Sequence, residues 1–168
     1  VNSATGFVTA LGAGTVTLMA NSSGDINYNP ASTTQVITIG QNTPTLTITS
    51  ANVMIVDGTL TVTTSTTAID GGGVLGYGVL NGSGSAAFDQ SGSLRAISAG
   101  MVSITVTSSG NTNYYPASAT QLITIDKGTP TLMITSPSTV AIGNSLTASV
   151  NTTATYGRGG AITYSVSA

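Results

Sequence analysis

The sequence contains no cysteine, no histidine, no glutamate and no tryptophan. Without cysteine there is no disulfide framework, no thiolate zinc site and no cysteine nucleophile. Without histidine there is no Ser-His-Asp triad and no histidine-ligated zinc. Charge is nearly absent as well: Lys and Arg total 3, and all five acids are Asp, at positions 25, 57, 70, 89 and 126. A soluble chain normally carries about a quarter charged residues. Here Thr, Ser, Asn and Gly must keep the surface in water. A net charge of −2 supplies no field for nucleic acid or acidic lipid. No run of 18 apolar residues occurs, because Thr or Ser interrupts every aliphatic stretch, so no membrane-spanning helix is expected in this segment. Val1-Asn2-Ser3 is neither an initiator Met nor a signal peptide, so the sequence is expected to start inside a longer chain.

What the sequence does have is repetition. Gly6-Phe7-Val8-Thr9-Ala10-Leu11-Gly12-Ala13-Gly14 returns as Gly92-Ser93-Leu94-Arg95-Ala96-Ile97-Ser98-Ala99-Gly100, an offset of 92 − 6 = 86. Pro30-Ala31-Ser32 returns as Pro116-Ala117-Ser118, and Thr43-Pro44-Thr45-Leu46 as Thr129-Pro130-Thr131-Leu132. Residues 6–50 set against 92–136 give 25 identities in 45 positions. Gly76-Tyr77-Gly78-Val79 matches Thr163-Tyr164-Ser165-Val166 with one inserted residue. One complete unit is therefore expected at 42–126, with the back half of a unit at 1–41 and the front half of another at 127–168. The joints are Gly40-Gln41-Asn42-Thr43-Pro44 and Asp126-Lys127-Gly128-Thr129-Pro130. Each proline holds the residue before it extended, which makes these joints semi-rigid.

Inside the unit the apolar period is two. Leu46 and Ile48, Leu60 and Val62, Leu75, Tyr77 and Val79, Ala86 and Phe88, Leu94 and Ala96, Val102, Ile104 and Val106, and Ile123 and Ile125 alternate with small or polar residues. Turn clusters separate the runs at Asp70-Gly71-Gly72-Gly73, Asn81-Gly82-Ser83-Gly84 and Ser108-Ser109-Gly110-Asn111. Seven short strands in about 85 residues predict an all-β, immunoglobulin-like sandwich. Leu60, Val62, Tyr77, Val79, Phe88, Val102, Ile104 and Ile123 are its expected core.

The stretch from Phe88-Asp89-Gln90-Ser91-Gly92 through Ala99-Gly100 to Val102-Ser103-Ile104-Thr105-Val106 resembles the signature of bacterial immunoglobulin-like (Big) domains. There a strand ends in Asp-x-x-Gly, and Ala-Gly opens the next strand of alternating aliphatics. Gly6 to Ala20 carries the same signature. Asn27-Tyr28-Asn29-Pro30-Ala31 and Asn113-Tyr114-Tyr115-Pro116-Ala117 resemble the closing hairpin of related surface-protein repeats. The sequence departs from the pattern in placing Tyr77 or Tyr164 where the third strand carries Trp. The resemblance implies tandem modules on the cell surface or outside it, as in adhesins, surface-layer-associated proteins, secreted enzymes and phage structural proteins. It brings no catalytic residues.

Candidate sites have plain structural readings. Asp70 and Asp89 could form a carboxylate pair, but both fall in turn sequences. A shared calcium joint needs several carboxylates. Yet Asp25 falls opposite Asn111, Asp57 opposite Gly143, Asp70 opposite Tyr156, Asp89 opposite Ser3 and Asp126 opposite Gly40, so no acid recurs. Gly71-Gly72-Gly73 and Gly157-Arg158-Gly159-Gly160 lack the Lys-Ser/Thr ending of a phosphate loop. Tyr28, Tyr114 and Tyr115 suit packing across a sandwich end, or else a sugar-stacking patch. Lys127, the single lysine, lies at a joint rather than in a core. Asn21-Ser22-Ser23, Asn81-Gly82-Ser83 and Asn151-Thr152-Thr153 fit the glycan acceptor pattern. No catalytic, cofactor or metal residue is assigned.

The expected function is a non-enzymatic, extracellular or cell-surface spacer or filament module. The alternatives are an adhesin module that recognises a glycan or receptor, and an accessory domain of a phage structural protein or secreted enzyme. The expected partners are neighbouring repeats or copies of the same chain in a head-to-tail array. The two half units are complementary. Val166 matches Val79 and Val1 matches Ala87; seven residues, 80–86, lie between the latter positions, and Ser167 and Ala168 supply two. A continuous longer array, with 127–168 of one stretch joined to the equivalent of 1–41, is the first expectation, and packing between separate copies the second.

Overall fold

A computed structural model describes residues 1–154 and 159–167. Among them are thirteen strands and no helix. The strands are β1 Gly14–Ser22, β2 Ala31–Ile39, β3 Leu46–Ile48, β4 Val53–Ile55, β5 Thr59–Thr61, β6 Thr64–Thr66, β7 Leu75–Asn81, β8 Ser85–Phe88, β9 Ser93–Ser98, β10 Gly100–Ser108, β11 Ala117–Asp126, β12 Leu132–Ile134 and β13 Val150–Thr152. Their sequences are rich in Thr, Val and Ile, whose branched Cβ atoms suit a pleated surface. The all-β content and the several sheets are consistent with a β-sandwich. The sheets are β1-β2, β3-β6, β5-β9-β8, β12-β13 and a four-stranded sheet ordered β4-β11-β10-β7. All twelve buried hydrophobic residues among those described lie between Leu46 and Ile125.

Two compact units divide the chain, with boundaries inside β7, β10 and β11. The first comprises Val1–Ser50, Val62–Gly78 and Ile104–Gln121. Its hairpin β1-β2 pairs Gly14 with Ile39 and Ser22 with Ala31, without a register break. Leu46, Val62, Ala68, Ile104 and Val106 form its buried apolar set. Ser108 is the buried polar residue; its hydroxyl donates to the Gly72 carbonyl at 2.7 Å, which meets the cost of burying an oxygen. β3 and β6 pair antiparallel, and the Thr49 and Thr63 hydroxyls meet at 2.9 Å just beyond the ladder. Gly110 closes the turn after β10 at φ +71, where a Cβ would lie 2.7 Å from the Pro116 nitrogen. Only glycine fits that approach.

The second unit comprises Ala51–Thr61, Val79–Ser103 and Leu122–Ala168. Met54, Ala86, Leu94, Ala96, Val102, Ile123 and Ile125 form its buried set. β9 is flanked by β5 and β8, and the β8-β9 register shifts between Ser85 and Ala86. β4 runs parallel to β11, with Met54 opposite Ile125. β12 and β13 pair antiparallel, Leu132 with Thr152 and Ile134 with Val150.

The structure differs from the alternation in three places. The run expected as one strand through Leu60 and Val62 ends at Thr61: β5 joins β9, Val62 lies between strands, and the additional strand β6 that follows joins β3. β4, hidden in the unbroken apolar run Val53-Met54-Ile55, is an additional strand. Tyr77, expected in the core, is 43 % exposed, because β7 is the last strand of its sheet and a large ring there reaches the surface. Leu60, Val79 and Phe88 are half-buried, while Val62, Val102, Ile104 and Ile123 are buried as expected.

Candidate functional site

The polar side chains that the sequence singles out are held in turns. After β10, the Asn111 side-chain oxygen accepts from the backbone N–H of Asn113 at 2.8 Å and of Tyr114 at 3.0 Å. The Asn111 N–H donates to the Tyr114 carbonyl at 2.9 Å. After β1, Asp25 builds the same turn: its carboxylate accepts from the N–H of Asn27 and Tyr28, both at 2.8 Å. Asn and Asp share this chemistry because both place an oxygen two bonds from Cβ, within reach of the backbone two and three residues on. Asp70 reaches the Asn111 turn from the neighbouring loop. Its carboxylate accepts from the Gly72 N–H at 3.0 Å, the Asn111 amide at 3.0 Å and the Asn113 amide at 3.2 Å. These bonds, the Gly72 one first, hold its carboxyl below the usual value.

Asp89 belongs to the second unit and serves its own turn. It accepts from the Ser91 hydroxyl at 2.6 Å and from the N–H groups of Ser91 at 2.8 Å and Ser93 at 3.0 Å. The Ser91 hydroxyl is the main cause of its lowered pKa. Asp70 and Asp89 thus sit in different units, each engaged by local donors. Gly71, Gly72 and Gly73 all have positive φ, and Gly71 donates to the Ala68 carbonyl at 3.1 Å, so they form a turn. Gly159 and Gly160 are described, but Gly157 and Arg158 lie outside the described residues, as does Tyr156. The Tyr114 hydroxyl accepts from the Ile69 N–H at 3.2 Å, which ties its half-buried ring across the loops. Tyr28 and Tyr115 are exposed. Of the three acceptor-pattern asparagines, Asn21 and Asn151 are exposed on strands, and Asn81 uses its side-chain oxygen to accept from the Ala86 N–H at 2.8 Å. No three of His, Cys, Asp or Glu gather among the described residues.

Two clefts are apolar. In the second unit, one of about 740 Å³ lies at Lys127–Pro130, lined by Ile55, Val56, Ile97, Ala99 and Pro130, with Asp57 and Lys127 on its wall. In the first unit, one of about 320 Å³ lies against the β1-β2 sheet, between Val16, Leu18, Ile37 and Ile39 and the segment Val1–Gly12. In the sheet bordering this second cleft Leu18, Ile37 and Ile39 are half-buried and Val16 is exposed. Val16 is 43 % exposed, whereas Val102, 86 residues on, is 1 % exposed. Conversely, Leu46 is 7 % exposed and Leu132, again 86 residues on, is 61 % exposed.

The sequence points to each turn but not to the bonds between turns. The link of Asp70 to Asn111 and Asn113, and that of the Asn113 side-chain oxygen to the Ala13 N–H at 2.9 Å, join positions 41 to 100 residues apart. The available signal was the exchange of Asp25 for Asn111, which keeps the turn oxygen while dropping the charge. Comparison with known protein families, with curated proteins and with solved structures yields no match.

Proposed function

We infer that the chain is a structural repeat region of an extracellular fibre, stalk or surface protein, built of immunoglobulin-like modules with a period of about 86 residues and acting as a spacer rather than an enzyme. One observation carries this reading: hydrogen bonds recur at that offset even where the residues differ. The Thr49 N–H donates to the Thr63 carbonyl at 2.8 Å, and the Thr135 N–H to the Ser149 carbonyl at 2.9 Å. The Thr45 N–H donates to the Thr67 hydroxyl, and the Thr131 N–H to the Thr153 hydroxyl, both at 2.9 Å. Gly58 donates to the Ile55 carbonyl, and Asn144 to the Ala141 carbonyl. Asp57 and Gly143, 86 apart, both have positive φ.

What recurs is therefore turn and ladder chemistry, as a spacer requires, and not a set of reactive groups. The similarity to Big-domain signatures at Phe88–Val106 supports an extracellular setting for the same modules, and the near absence of charge supports a spacer over a binding module. Electron microscopy of the parent protein tests the reading. The expected image is a rod whose modules advance roughly 40 Å each, from strands of 8–10 residues at about 3.3 Å plus a joint. A single globular particle would sink it.

A further inference from the structure

We propose that Asp70 and Asn113 form a polar lock between successive repeats: the Asp70 carboxylate fixes the Asn113 side-chain amide so that its oxygen grips the backbone of the preceding repeat and holds the joint rigid. The proposal rests on the modular reading above and adds which groups stiffen the joint at 40–44.

Every bond of the lock lies within the first unit. The linker itself is held along its backbone. The Asn42 N–H donates to the Asn113 carbonyl at 2.9 Å, and the Tyr115 N–H donates to the Asn42 carbonyl at 3.0 Å. The Gln41 amide donates to the Asn111 carbonyl at 2.8 Å. Contacts confined to a linker leave the two bodies free to pivot about it, which is the ordinary behaviour of neighbouring modules. The Ala13 bond adds a second point of attachment. Ala13 directly precedes β1, and its N–H donates to the Asn113 side-chain oxygen at 2.9 Å. Gly12 leaves room for this approach, because a Cβ there would lie 3.1 Å from the same oxygen.

The orientation of the Asn113 amide decides whether that bond exists. A backbone N–H can only donate, and an ionised carboxylate can only accept. Ala13 therefore requires the amide oxygen, and Asp70 requires the amide NH2, so both neighbours select the same orientation. Asn113 Nδ2 donates to Asp70 Oδ2 at 3.2 Å. The other carboxylate oxygen, Oδ1, accepts from the Gly72 N–H and the Asn111 amide, both at 3.0 Å. Asp70 is thus anchored by its own loop and by the Asn111 turn, and it acts on Ala13 through Asn113. It is a positioning residue, and its charge gives the amide bonds their strength.

Hydrogen exchange by nuclear magnetic resonance and distances between spin labels, both on residues 1–168, test the lock. Asp70→Asn is the discriminating variant. Its oxygen stays where Gly72 and Asn111 converge, and its NH2 then faces the Asn113 NH2, donor against donor. Asn113 must flip and present its NH2 to the Ala13 N–H. The Ala13 N–H should exchange at least tenfold faster, as it should in Asn113→Ala. The hydrogen-bonded amides of the β1-β2 ladder should keep their rates, which shows that the variants are folded. Thr33→Cys on β2 and Ser118→Cys on β11 place labels at exposed strand positions in a chain without native cysteine. The unsubstituted background should give one narrow distance distribution, and each lock variant a broad one. Unchanged Ala13 exchange in Asp70→Asn, or equal widths with and without the lock substitutions, overturns the proposal. Either result from a protein that is nonetheless a rod in the microscope defeats this inference and leaves the spacer reading standing.

Discussion

Five aspartates carry all the acidic side-chain charge of this chain, and Asp25, Asp70 and Asp89 are each held by donors within a turn. Position rather than charge decides their use. Asp25 and Asn111 build one turn with two chemistries, so a comparison that asks whether an acid recurs sees nothing, while one that asks whether a side-chain oxygen recurs sees the same hydrogen bonds. Asp70 and Asp89 have folded pKa values lowered from 3.8. A group whose folded pKa lies below its unfolded one stabilises the fold above the unfolded value and loses that contribution as pH falls through the folded one. The melting temperature should therefore hold from neutral pH to about pH 5 and decline below the ordinary carboxylate range. Asp70→Asn should flatten part of the acid-side decline. A melting temperature that instead falls between pH 8 and 6 would contradict the assignment.

At the scale of the element, alternation is informative where a strand is long and has its core on one face. β10 shows it: Val102, Ile104 and Val106 are buried, with Ser103 and Thr105 half-exposed between them. Ile104→Asp buries an unpaired carboxylate and should cost more than about 4 kcal/mol in chemical denaturation. Thr105→Asp, whose position faces the Thr120 hydroxyl at 3.3 Å, should cost about 1 kcal/mol or less. Equal losses would mean that the register is wrong. The same reasoning missed β4 and β6, each three residues long. Neither alternates, β4 being apolar throughout and β6 Thr-Ser-Thr, and both exist because a partner strand is present: Val53 pairs with Thr124, 71 residues away, and Thr64 with Ile48. A period-two pattern also cannot tell an edge strand from a central one, which is why Tyr77 reads as core and lies at the surface. The turns were legible because Gly, Asn and Asp mark them locally; the bonds that tie one turn to another are set by the tertiary fold.

For the molecule as a whole, each unit has its own buried apolar set, and no three acids gather among the described residues. Stability should therefore not depend on a divalent cation. Thermal unfolding with excess chelator and with millimolar calcium should give the same midpoint. A clear drop in chelator would place a metal in a joint, where the sequence puts no recurring acid.

The parallel pairing of β4 with β11 has a consequence for a chain under tension. Val53–Ile55 lies near the start of the 42–126 stretch and Thr124–Asp126 at its end, and the two run in the same direction. A pull that draws residue 42 one way and residue 126 the other slides these strands along each other. Their hydrogen bonds, and the Val56 N–H bond to the Asp126 carbonyl at 3.0 Å beside them, are then loaded sideways and together rather than opened one at a time like a zipper. Under such a pull the β4-β11 pairing acts as a mechanical clamp, because its bonds must fail together.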